Sequence, residues 1–252
     1  MLNLPFLYYF LPTVFRLRLA ARLGVALRRL RPLAEDQKED FGVVQAATLT
    51  LLALIIGFSS SMATSRYDLR KNYEEAEANA IGTEWVRAGL LPAPEGARVR
   101  AQLRRCTDLR IAFYRTRNAD YLQQIDADTA QLQNDMWNAV QAAALQQPTP
   151  VMALAVSGMN DVLNSQGYTQ AAWWNRIPTS AWALLIVTAI CCNVLIGYGA
   201  RGGHRRAMLL IVFPVVVSIS FLLIADIDAP RGGLIRVKPQ NLVALYDSLP
   251  KQ

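Results

Sequence analysis

The chain has 252 residues, of which 53% are hydrophobic and 18% charged, a charged share below the ~25% usual for soluble domains. Three cysteines and one histidine leave no disulfide framework and no zinc-ligand spacing. The net charge of +7 is concentrated beside apolar runs, where anionic lipid and the positive-inside rule account for it, so no nucleic-acid partner is expected.

The first apolar stretch, Leu2 to Phe15, precedes its arginines, the reverse of a signal peptide. It is short for a span and contains Pro5 and Pro12. From Phe15 onward, Leu19, Leu23, Ala26, Leu27 and Leu30 recur at helical spacing, with Arg16, Arg18, Arg22, Arg28 and Arg29 between them. That pattern reads as an amphipathic helix at the membrane surface with its arginines on lipid headgroups, preferred here over a short additional span. Residues 1–40 form this basic segment.

Residues 41–65 are the first clear transmembrane helix, uncharged from Gly42 to Thr64. Gly57, Ser59, Ser60, Ser61 and Ala63 give its later half a small-residue surface suited to close helix packing. Helical periodicity continues from Arg66 to Leu91, with Leu69, Tyr73, Ala76, Ala80 and Thr83 predicting the packed face. Pro92 and Pro94 end it. Residues 66–178 read as a helical extramembrane insert. A break near Asn118-Ala119-Asp120 divides its long central helix, and a further helix over 151–164 closes at Gln166-Gly167. Trp173, Trp174 and Trp182 mark an approach to the headgroup level.

Residues 179–225 hold two uncharged runs, Ala181 to Ala200 and Ala207 to Ala225, around the basic turn Arg201-Gly202-Gly203-His204-Arg205-Arg206. Each run is long enough to cross a bilayer. Pro214 predicts a kink in the second, with Ser218 and Ser220 placed to satisfy freed carbonyls. Residues 226–252 read as a short tail. The fold class expected is an all-α integral membrane protein with three transmembrane helices, an amphipathic or short amino-terminal membrane helix and a helical insert. The positive charges place the amino terminus and the basic turn in the cytoplasm and the insert on the opposite face.

No nucleophile–base pair, phosphate loop, dinucleotide fingerprint or zinc signature is present, so neither an enzyme nor a cofactor is expected. Three polar groupings remain. Glu77, Asn79 and Glu84 sit where a helix leaving the membrane could line an ion path, against the plainer reading of a solvated face paired with Arg70 and Arg87. Asp226 and Asp228 end the last span, either as oxygen ligands for a hard cation or in a structural lock. Asn193 lies within a span, where amides bond between helices.

The run from Gly57 through Pro92, with Glu77-Ala78-Asn79-Ala80-Ile81-Gly82-Thr83 at its heart, resembles the bacterial bestrophin-like domain family. So do Arg176-Ile177-Pro178 and Ile224-Ala225-Asp226-Ile227-Asp228-Ala229-Pro230-Arg231-Gly232-Gly233. The resemblance covers about Phe41 to Leu245. It implies an oligomer, with five subunits as in bestrophins proper, conducting anions or other small ions in a bacterial inner membrane. It also implies a cytoplasmic insert, contrary to the charge rule. On this reading Leu54, Ile55, Ile56 and Phe58 form a dewetting constriction and Glu77, Asn79 and Glu84 a vestibule. The alternative is a non-conducting membrane scaffold or sensor whose insert binds a protein partner.

Overall fold

The computed structural model describes residues 4–200 and 204–250. Arg201, Gly202 and Gly203 of the basic turn lie outside them, as do Leu2 and Asn3 of the first apolar stretch. Eight α-helices are described: α1 (Leu4–Leu30), α2 (Lys38–Arg87), α3 (Ala93–Arg115), α4 (Ala119–Gln146), α5 (Pro150–Trp174), α6 (Thr179–Gly199), α7 (His204–Asp228) and α8 (Gln240–Ser248). Among the described residues there is no strand. Stretches within Lys38–Leu90, Pro150–Gly199 and Leu210–Asp228 are long and apolar enough to cross a membrane. The chain divides into two compact units, one of Met1–Ser65 with Arg176–Ala229 and one of Arg66–Asn175 with Pro230–Gln252.

In the first unit, α1, the opening part of α2, α6 and α7 enclose Leu17, Leu52, Leu185, Ala189, Cys192, Val217 and Phe221. The amino-terminal helix is part of this bundle. It follows α6 in the same direction, with Leu17 near Ile190 and Ala21 against Gly197. At its far end the Arg28 guanidinium donates to the Tyr198 carbonyl (3.0 Å) and the Tyr198 hydroxyl to the Arg31 carbonyl (3.0 Å). The side chains it buries are Leu17, Ala20 and Ala21, with Gly24 beside them, while Leu19, Leu23, Leu27 and Leu30 are exposed. This is the packing of a helix laid lengthwise along α6. Two glycines allow it. A Cβ on Gly24 would lie 2.0 Å from the Val194 carbonyl oxygen, and one on Gly197 would lie 1.9 Å from that of Ala21. In lipid, where burial supplies no drive for helices to associate, such close backbone approach is a principal source of packing energy.

The second unit has a core built on Val99, Leu103, Phe113, Ile125, Met136, Val140, Met159 and Leu242. Its helix starts follow local chemistry. The Asn118 carboxamide oxygen accepts from the Asp120 and Tyr121 amides (2.8 and 3.1 Å), capping α4. The Thr149 hydroxyl caps α5 by accepting from Met152 N–H (3.2 Å), with Pro150 at the first helical position.

Three expectations change here. The helix after Pro150 does not close at Gly167 but runs to Trp174, because Thr169, Ala172 and Trp173 beyond the glycine are buried and hold it in register. Trp173 is not a headgroup anchor: it packs edge-on against Phe113 and Tyr114, and only Trp174 is exposed. The carboxyl-terminal residues are not a detached tail, since Pro230 onward belong to the second unit and Leu242 is wholly buried in its core.

Candidate functional site

The helix α2 carries two opposed faces along nearly its whole length. Leu52, Ser59, Ala63, Arg70, Glu74, Glu77, Ile81 and Glu84 are all buried, as is Ala88 in the short turn that follows. At about 3.6 residues per turn these positions share one side. The other side is exposed at Leu51, Leu54, Phe58, Ser61, Ser65, Asp68, Asn72, Glu75, Asn79, Thr83 and Val86. Its chemistry changes in order: apolar to Phe58, small hydroxyls at Ser61 and Ser65, then charged and amide groups. Only 6% of the most apolar stretch within Lys38–Leu90 is buried, against 39% and 28% for the corresponding stretches within Pro150–Gly199 and Leu210–Asp228.

The structure divides the four constriction candidates. Leu54 and Phe58 are 52% and 67% exposed and lie one turn apart. Ile55 and Ile56 instead pack against the core of the first unit. The three vestibule candidates also separate. Asn79 is exposed, but Glu77 and Glu84 are buried, so neither carboxylate faces solvent and the reading of both as vestibule groups is corrected. Of the packed face predicted from Leu69, Tyr73, Ala76, Ala80 and Thr83, Tyr73 and Ala80 are half-buried while Leu69, Ala76 and Thr83 are exposed, because this helix turns its ionisable side chains inward.

Those charges are tolerated because partners reach them. Glu77 pairs with the fully buried Arg110 of α3, Oε1 to Nε at 2.5 Å. Its Oε2 accepts from the Thr169 hydroxyl of α5 (3.2 Å) and, at the edge of bonding distance, from Tyr114 (3.5 Å). The Arg110 guanidinium also stacks 4.2 Å from the Phe113 ring centroid. Burial and the neighbouring Glu77 carboxylate push the Cys106 thiol up to about 12, and the same two causes raise the Tyr114 hydroxyl further, so both stay protonated. Glu74 caps α8: its carboxylate accepts from the Leu242 amide (3.0 Å) and from the Asn241 side chain (2.6 Å). Arg231 stacks 4.4 Å from the ring centroids of both Phe113 and Trp173 and donates to the Phe113 carbonyl (2.7 Å), closing the end of α3.

Glu84 differs. It is fully buried with neither carboxylate oxygen hydrogen-bonded, and it lies where a Cβ on Gly158 would be 2.0 Å from its Oε2. Desolvation raises its pKa to about 8, opposed by Arg87 and reinforced by Asp161. Arg87 itself stands 3.8 Å from Asp161.

Asp228 forms a lock rather than an open ligand set. Both its oxygens approach the Ile177 amide (3.1 and 3.3 Å), joining the end of α7 to the residues that lead into α6. A carboxylate is unfavourable at its own helix carboxyl terminus and favourable at the amino terminus of the next, which is where this one points. Asp226 is half-buried and engaged. Among the described residues no three histidine, cysteine or acidic side chains gather around a metal-sized position. Of the arginines assigned to headgroups, Arg16, Arg18, Arg22 and Arg29 are exposed, while Arg28 is half-buried on Tyr198. Asn193 bonds within its own helix, donating to the Ala189 carbonyl (2.7 Å).

Arg110, Arg231, Gly24 and Gly197 were not predicted. The first two act through contacts distant in sequence, and the glycines through a shape match that hydropathy does not register.

The sequence profile of the bestrophin-like domain matches residues 15–242. Solved structures with the same fold include a bacterial bestrophin homolog from Klebsiella pneumoniae, 17% identical, with a TM-score of 0.63 over 94% of this chain and 99% of that one. Two single-residue variants of the Klebsiella homolog give TM-scores of 0.65 and 0.66 at 16% and 15% identity; the first covers 94% of this chain and 97% of its own, the second 96% of each. No curated protein matches the sequence significantly.

Proposed function

The chain belongs to the bestrophin-like domain family, and from that premise we propose that it is a homo-oligomeric channel for small ions, lined by the exposed face of α2. The observation that carries this reading is the exposed stripe from Leu51 to Thr83, apolar at one end and hydrophilic at the other. A membrane helix with almost none of its apolar stretch fully buried calls for neighbours, and hydroxyl and charged groups continuing the same stripe call for water in front of them. Several copies of α2 around an axis satisfy both requirements; the family resemblance implies five. Leu54 and Phe58 then form the narrowest, dewetting part, and Asn79, not Glu77 or Glu84, faces the wider aqueous end. Exposed Leu145 and Leu154 in the second unit fit contacts between copies. The bacterial source of the homologs supports a place in the inner membrane.

Purified protein in planar bilayers tests the proposal. Ion current is expected, and Leu54→Ser and Phe58→Ser should each raise it several-fold by wetting the constriction. Leu184→Ser, at an exposed position of α6, should leave it unchanged. A wild type and both serine variants that carry no current would remove the conducting role and leave the scaffold.

A further inference from the structure

Between α1, α6 and α7 lies a cleft of about 240 Å³. Its walls are apolar, chiefly Phe10, Leu17, Trp182, Ile190, Phe221 and Leu222. Three polar side chains stand out against them, Thr13, Arg16 and Ser218. Arg16 lines the cleft, and among the described residues no acidic side chain pairs with it. Ser218, 1% exposed, also lines it, and its buried hydroxyl has no hydrogen-bond partner.

Arg16 is itself exposed, so its guanidinium is open to a ligand entering the cleft beside Ile190 and Ser218. A cation covered by apolar walls is costly unless an anion or water neutralises it. The space beside it is smaller than the ~300 Å³ at the low end for drug-sized ligands, and apolar, which suits one extended alkyl chain. A phospholipid is the poorer match, because a cleft of this volume has no room for a second chain.

We infer that this cleft binds a free fatty acid, its chain along the apolar wall and its carboxylate on the Arg16 guanidinium. A carboxylate matches the planar fork of arginine with two parallel hydrogen bonds, and the pair is electrically neutral within the hydrocarbon. The Ser218 hydroxyl supplies a further donor on the same cleft.

Trp182 in the wall is the reporter. Full-length protein in neutral detergent is titrated with a terminally brominated medium-chain fatty acid and, in parallel, with its methyl ester. The Trp182→Phe protein isolates the signal of this indole. Saturable quenching by the acid and little by the ester is expected. Arg16→Gln should weaken the acid's binding by roughly tenfold or more, and Arg18→Gln should not. Arg16→Lys, which keeps the charge, should retain the preference for acid over ester and guards against a folding defect in the glutamine variant. Equal quenching by acid and ester, non-saturable quenching, or full binding by a folded Arg16→Gln protein would each overturn the assignment. So would an absence of quenching, the result expected if a second copy of the chain fills the cleft.

Discussion

The two parts of α2, before and after Ser65, bury the same side of one helix in opposite ways. Before Ser65 the buried stripe is Leu52, Ser59 and Ala63; after it, Arg70, Glu74, Glu77, Ile81 and Glu84. The spacing holds while the chemistry inverts. In the first unit contact comes from small residues, with α1 and α6 approaching backbone to backbone at Gly24 and Gly197. In the second, buried charge is held by matched partners: Arg110 for Glu77, the amino terminus of α8 for Glu74. A lipid-solvated unit has no hydrophobic drive to bring its helices together, so it relies on shape. Helices surrounded by water have that drive and can also hold a buried charge against an opposite charge or a helix terminus.

The contrast can be broken at its extremes. The largest effect is expected at Gly197. A valine there drives side-chain atoms into the Ala21 carbonyl, with no flexible group to yield, and should abolish monodisperse protein in size-exclusion chromatography. Gly57→Ala, on the same unit with nothing within 4 Å of its added Cβ, should elute as wild type. If Gly197→Val also does so, shape is not what holds the first unit.

In the second unit the matched pair is the target. Arg110→Met leaves the Glu77 carboxylate buried without its cation and should cost about 3–5 kcal/mol in a thermal or denaturant assay. Adding Glu77→Leu should recover much of that loss, because the stranded charge is removed too. A double variant as unstable as the single one would mean that the pair itself, rather than its completeness, holds α2 to α3.

The smallest and most specific effect concerns Glu84. Its folded pKa, about 8, lies above the ordinary glutamate value of 4.5, so between those values the folded state holds a proton that the unfolded chain has released. Stability should therefore fall as pH rises from about 5 to 8, and level off once the folded form ionises as well. Glu84→Gln, which cannot ionise, should flatten this slope and melt several degrees higher than wild type at pH 8. Parallel melting curves for the two proteins across that range would show that water or another donor already stabilises the carboxylate.

Much of this was legible in the sequence. The spans showed as uncharged runs, the break before α4 as Asn118, and the start of α5 as Thr149-Pro150. The family was legible in Glu77-Ala78-Asn79-Ala80-Ile81-Gly82-Thr83, but the roles within that run were not. Glu77 and Asn79 are two residues apart, yet one is buried and the other exposed. Hydrophobic periodicity points the wrong way here, since it assigns the inward face to Leu69 and Ala76 and the outward face to the acids. Only the position of Arg110, 33 residues along, reverses it.

The sequence by itself determined that this polypeptide is helical, that lipid is the solvent for its apolar runs, and where most helices begin and end. Those properties depend on neighbours a few residues away: length without charge, caps and prolines. The tertiary structure decided which face of each helix is inside. It made α1 a companion of α6, drew Arg231 onto Phe113 and Trp173, and left Leu54 and Phe58 open while closing Ile55 and Ile56. Those outcomes depend on whether a distant segment brings a glycine, a guanidinium or an amide to the right place, and local sequence carries no record of that.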